Sequence, residues 1–138
     1  MPAPDFLDAN VFVYAYDPSD RRKQRIAQEL LRRALNGDFL TSVQALAEFS
    51  ATLLHEMSPP GHPSAVAAVL DALSPISLVS PDLQMVRRAV QAREKYGVHF
   101  YDGMIIAAAE RAGCTQILSE DLNSGQTYFG VTVENPFV

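Results

Sequence analysis

Four acidic residues fall at or beyond the ends of strand-like runs. Asp8 follows Phe6-Leu7, with Asn10 two residues on, and Glu48 lies about two turns into the helical pattern after Phe39-Leu40-Thr41. Asp121 follows Gln116-Ile117-Leu118, with Ser119 and Glu120 between, and Asp102 opens the helical stripe of Ile105, Ile106 and Ala109. In an α/β sheet, ligands bind beyond the carboxyl ends of the strands. These acids are therefore expected at one edge of one sheet. Gathering them there is costly, because like charges raise one another's pKa unless something offsets the repulsion. A divalent cation is the common offset, and an all-oxygen set suits Mg²⁺ or Mn²⁺ better than zinc. One Cys and three scattered His (His55, His62 and His99) make no zinc-spacing motif. Each acid also has an ordinary use: Asp102 as an N-cap, Asp8 as a turn or cap residue, Glu48 as a solvated helix residue, Asp121 in an Asx-turn.

Helical periodicity supplies most of the elements that would position these acids. Ile26, Ala27, Leu30, Leu31, Ala34 and Leu35 recur at three- and four-residue spacing, as do Val43, Leu46, Phe49, Leu53, Leu54 and Met57. Val66, Val69, Leu70 and Leu73 follow suit, then Leu83, Val86, Ala89 and Val90, and Gly113 is placed to end the helix after Asp102. Buried strands are expected at Phe6-Leu7, Phe39-Leu40-Thr41, Ile76-Ser77-Leu78-Val79, Gln116-Ile117-Leu118 and Val131-Thr132-Val133. Strands alternating with helices predict an α/β fold with a mostly parallel sheet and helices on both faces. The run Ser58-Pro59-Pro60-Gly61-His62-Pro63 reads as a loop within a domain.

A length of 138 residues fits one domain with a full core. One Cys rules out an intramolecular disulfide and points to a reducing, cytoplasmic setting. No apolar run is long enough for a spanning helix, and Met1-Pro2-Ala3-Pro4-Asp5 has neither the basic nor the apolar region of a signal peptide. No membrane association is expected. Phosphate-binding glycine loops are missing, and Ser50 and Ser119 lack the elbow motif of a serine hydrolase. The formal net charge of −5 weighs against a nucleic-acid partner. Its distribution weighs the other way: six of the eleven cations (Arg21, Arg22, Lys23, Arg25, Arg32, Arg33) lie within residues 21–33, and Arg87, Arg88, Arg93 and Lys95 form a second group. Such runs are ordinarily solvated helix faces; here they are also candidate contacts for an anion.

The acidic motifs resemble those of the PIN-domain ribonucleases, in particular the VapC-like toxins of type II toxin–antitoxin pairs. Phe6-Leu7-Asp8-Ala9-Asn10-Val11-Phe12-Val13-Tyr14-Ala15 resembles the first-strand motif, Ala47-Glu48-Phe49 the second, and Tyr101-Asp102-Gly103-Met104-Ile105-Ile106-Ala107-Ala108-Ala109 the third. Leu118-Ser119-Glu120-Asp121-Leu122, followed by Gly130-Val131-Thr132-Val133-Glu134-Asn135-Pro136-Phe137, resembles the last motif and the closing strand. The resemblance runs over nearly the whole chain, with the motifs in order. It departs where many toxins have Thr in place of Ser119 and an Asp-Phe pair slightly later, where this chain has Ser124-Gly125.

The resemblance implies a single PIN-like domain over 1–138 with a three-layer α/β/α fold. It implies a metal-dependent endoribonuclease whose catalytic and metal-holding residues are Asp8, Glu48, Asp102 and Asp121, with Glu120 as substitute for the last. Asn10 and Ser119 would orient ligands or water, around one or two Mg²⁺ or Mn²⁺ ions. Arg21, Arg22, Lys23, Arg25, Arg87, Arg88 and Arg93 are the RNA-contact candidates. The implied partners are RNA, a small DNA-binding VapB-like antitoxin and a second copy of the chain. Two other readings share these residues: an RNA-processing nuclease with no antitoxin, and a non-catalytic interaction module built on the acidic pocket.

Overall fold

The computed structural model describes residues 4–138; Met1, Pro2 and Ala3, the start of the segment read as lacking leader character, lie outside the described residues. The elements in chain order are β1 (Asp5–Leu7), α1 (Ala9–Tyr16), α2 (Arg21–Leu35), β2 (Phe39–Ser42), α3 (Val43–His55) and α4 (Pro63–Leu73). They continue with β3 (Leu78–Val79), α5 (Leu83–Tyr96), α6 (Phe100–Arg111), β4 (Gln116–Leu118), β5 (Thr127–Tyr128) and β6 (Val131–Glu134). The sheet order is β3-β2-β1-β4-β6-β5, parallel throughout except for the β5–β6 pair.

Side chains on a strand alternate between faces, and the short strands here use that alternation to serve two cores. Phe6, Leu40 and Ile117 pack with α5 and α6, beside Met85, Ala89, Met104 and Ile105. Leu7, Phe39 and Leu118 pack with α1 to α4, beside Val11, Phe12, Leu31, Phe49 and Leu53. The result is the expected three-layer α/β/α arrangement. β1, β2 and β3 each hand the chain to a helix on their carboxyl side, whereas β4 leads into the β5–β6 hairpin. Asp8 caps α1, its carboxylate accepting from Ala9 N–H at 2.7 Å, and Ser42 caps α3, accepting from Ala45 N–H at 3.0 Å.

Several local expectations change. Periodicity over 8–17 was not read as helix, yet α1 stands there, with Val11, Phe12 and Ala15 buried. Pro63, expected in the loop, is the first residue of α4, where its missing N–H costs nothing. The strand expected over 76–79 shortens to Leu78–Val79, because Ile76 N–H closes the turn after α4 on Leu73 C=O at 3.0 Å. Asp102 does not cap its helix: it stands in the first turn of α6, and His99 caps, its Nδ1 accepting from Tyr101 N–H at 3.2 Å. The β5–β6 hairpin was unforeseen. Its turn, Phe129-Gly130, has positive φ at both residues (49° and 83°), as a two-residue hairpin favours. Phe129 tolerates this because the turn is held from outside: Tyr96 Oη accepts its N–H at 3.0 Å, and the Arg88 guanidinium lies 3.5 Å from its ring centroid.

Candidate metal centre

Asp8, Asn10, Glu48, Asp102, Glu120 and Asp121 line one cleft of about 500 Å³. The parallel strands bring this about: Asp8 directly follows β1, and Ser119, Glu120 and Asp121 directly follow the neighbouring β4. Glu48 comes from the second turn of α3 and Asp102 from the first turn of α6.

Asp8 is the deepest of the acids, only 4% exposed. Its carboxylate accepts from Ser119 Oγ at 2.8 Å and from Ala9 N–H. Ser119 is fully buried and satisfied, since its Oγ also accepts from Asn10 Nδ2 and from Asp121 N–H, both at 3.1 Å. Asn10 works as a clamp between α1 and the loop after β4. Its Nδ2 also donates to Asp121 at 3.2 Å and its Oδ1 accepts from Glu120 N–H at 3.1 Å. The first and last acids are thus held in register through Asn10 and Ser119.

The electrostatics of the cleft are strained. Burial pushes the Asp8 carboxyl up to about 7; the Ser119 and Ala9 hydrogen bonds oppose this, and the charges of Asp121 and Glu48 add to it. Glu48 is raised by burial and by Asp102 and Asp121, with the Gln44 amide and His99 opposing. Asp102 is raised by burial and by Asp121, with His99 opposing. None of Asp8, Glu48, Asp102 or Asp121 has an ion-pair partner among the described residues.

Glu120 differs. Burial alone would raise it, but Lys23 Nζ at 2.6 Å and Tyr14 Oη at 2.5 Å donate to it and hold it below the ordinary carboxylate range. It faces the cleft already neutralised.

Oxygen donors carrying uncompensated negative charge fit a hard divalent cation. Among the described residues no group of three or more His, Cys, Asp or Glu is arranged so that it could hold a metal ion by itself. Mg²⁺ does not need such a group, since it keeps several waters and takes one or two carboxylates plus substrate phosphate.

The cleft also holds residues that the sequence reading passed over: Tyr14, Asp17 and Glu56. Asn10, Val13, Tyr14 and Asp17 all line it, at the spacing of one helix face. That spacing was the available signal, and it goes unread when α1 does. On α3, Thr52 lines the cleft beside Glu48, whereas Ala45 is buried in the core.

The basic candidates separate. Lys23 reaches the cleft wall through Glu120 and Tyr14. Arg21 meets Gln24, and Arg22 and Arg25 are exposed on the same helix without an ion pair among the described residues. On α5, Arg87 is exposed, Arg88 forks onto Glu110 with two bonds of 2.8 Å, and Arg93 donates to Gly97 C=O at 2.7 Å. No helix among the described residues is long and apolar enough to cross a membrane.

The comparisons with known proteins bear on fold and family. No curated protein matches the chain. Mycobacterium tuberculosis VapC20, described as a sarcin–ricin loop cleaving toxin, superposes with a TM-score of 0.64 at 20% identity, covering 84% of this chain and 90% of its own. FitAB bound to the IR36 DNA fragment contains a chain that superposes with a TM-score of 0.65 at 18% identity, covering 96% and 95%. At these identities the likeness is one of fold. The PIN domain family model matches residues 6–129, a span that includes Asp8, Glu48, Asp102 and Asp121, and the chain belongs to the PIN domain family.

Proposed function

We propose that the chain is a metal-dependent endoribonuclease that hydrolyses internal RNA phosphodiesters, acting in the cytoplasm as the toxin of a toxin–antitoxin pair. The observation that carries this reading is the meeting of Asp8, Glu48, Asp102 and Asp121 in one cleft without cationic partners among the described residues. The family match and the RNA-cleaving activity stated for VapC20 support the substrate class.

In this reading the four acids hold one or two Mg²⁺ or Mn²⁺ ions. Asp121 serves in preference to Glu120, because Glu120 is committed to Lys23 and Tyr14. When bound, the metal supplies a nucleophilic water and offsets charge at phosphorus. The chain's own residues do the rest. Asn10 and Ser119 fix Asp8 and Asp121 against each other. A carboxylate of the set accepts the proton of the attacking water. Lys23 and the exposed Arg21, Arg22 and Arg25 offer phosphate contacts on the α1–α2 side, with Arg87, Arg88 and Arg93 more remote. A DNA-binding antitoxin that masks the cleft and a second copy of the chain complete the assembly, in keeping with the binding of FitAB to a DNA fragment.

Purified chain should cleave members of a structured RNA panel in Mn²⁺ or Mg²⁺ and stop in chelator, and Asp8→Asn should be inactive. Equal behaviour of wild type and Asp8→Asn across the panel would defeat the reading.

A further inference from the structure

A pair of exposed aromatic side chains stands beside the cleft, on either side of Asp102's helix entry. The His99 and Tyr101 rings are stacked, with centroids 5.9 Å apart and planes within 24°. Tyr101 is 56% exposed and so open to a partner from solvent. The pair is nevertheless fixed. His99 Nδ1 accepts from Tyr101 N–H, which sets the imidazole's position and leaves Nε2 as its free edge. Phe100 braces the Tyr101 ring edge-on at 5.2 Å, and Gln44 Nε2 ties the Tyr101 carbonyl to α3 at 3.1 Å. The pair is also near the acids, since Tyr101 directly precedes Asp102 in α6 and its carbonyl is tied to Gln44, one turn before Glu48 on α3.

We propose that His99 and Tyr101 form a stacking platform for one unpaired nucleobase of the substrate, next to the phosphodiester held at the acids. The platform rests on the nuclease reading. The chemistry is that of sequence-tolerant single-strand recognition: an aromatic face offers every base a partner, but only a base freed from its helix can use it. A preordered ring also loses little entropy when the base arrives. The platform explains why a large aromatic is left in water beside the acidic cleft.

The test uses the Asp8→Asn chain, so that RNA stays intact, and a ten-nucleotide single strand carrying 2-aminopurine. Binding should quench the fluorophore. Adding Tyr101→Ala should weaken affinity about 10-fold or more and remove the quench, while Tyr101→Phe keeps both, and a blunt duplex of the same sequence shows neither. Melting curves establish that the variants fold. Unchanged affinity and quench in Tyr101→Ala would overturn the platform. So would a change of sedimentation with RNA affinity unchanged, which would make Tyr101 a contact between copies. Cleavage by the wild-type chain is measured separately: its absence defeats the nuclease reading, whereas robust cleavage with no loss in Tyr101→Ala defeats only the platform.

Discussion

The two ends of α6 treat their acids in opposite ways. In its last turn, Glu110 takes both arms of Arg88, and beside it Arg111 pairs with the Asp82 that caps α5. In its first turn, Asp102 has no ion-pair partner among the described residues; Asp121 and Glu48 repel it, and only His99 opposes them. The two acids are eight residues apart, or about 12 Å along the axis. Acids with cationic partners hold helices together; acids gathered in a cleft without such partners carry the cost of mutual repulsion, and that cost calls for a ligand. Glu120 sharpens the point, because it sits in the same cleft but is neutralised by Lys23 and Tyr14.

The largest effect should separate the two ends by activity. Asp8→Asn should lower metal-dependent RNA cleavage by about 100-fold or more, the several kcal/mol expected of a metal centre. Glu110→Gln should stay within about threefold of wild type in the same gel assay.

The second effect concerns pH. Burial raises the folded Asp8 carboxyl to about 7 from an ordinary 3.8. Between those values the metal-free folded chain keeps a proton that the unfolded chain releases, so stability is full below the lower value and falls as pH rises through the window. Melting in chelator should therefore drop between pH 5 and pH 8, and Asp8→Asn should flatten that dependence and melt higher than wild type at pH 8. A steeper fall in the variant would show that Asp8 is not the strained group.

A third prediction breaks the scaffold between the two ends. A Cβ on Gly103 would stand 2.8 Å from the Ala89 carbonyl oxygen, a backbone atom that cannot step aside. Gly103→Ala should cost about 1–3 kcal/mol, seen in chemical denaturation, and should weaken cleavage by shifting the adjacent Asp102. The smallest effect belongs to the paired end: Glu110→Gln should cost about 0.5–1 kcal/mol, since the pair is partly exposed.

The acids and their order were legible because each is tied to a local pattern: an apolar run, then Asp8, or an acid on the stripe of Ile105 and Ile106. The sheet edge followed from strand–helix alternation. Other features were not legible, for physical reasons. Helix α1 hides behind the strand before it, since a buried strand and a short buried helix share an apolar composition, and with it went Tyr14 and Asp17. The fate of the cations was hidden as well. Arg88 and Lys23 look alike in a charge run, but one folds onto Glu110 and the other reaches Glu120 across 97 residues of chain. Which cation meets which acid is settled by helix packing and not by local sequence. Asp102 is intermediate: its helix was foreseen, but its place behind a His99 cap was not.

The most direct measurement compares the two ends of one helix in a single assay: the rate of internal RNA cleavage in Mn²⁺ by wild type, Asp102→Asn and Glu110→Gln, each shown to fold by its melting curve. A metal centre at the cleft predicts that Asp102→Asn loses about 100-fold or more while Glu110→Gln keeps nearly full activity. Equal rates for Asp102→Asn and wild type, or equal losses at the two ends, would contradict it.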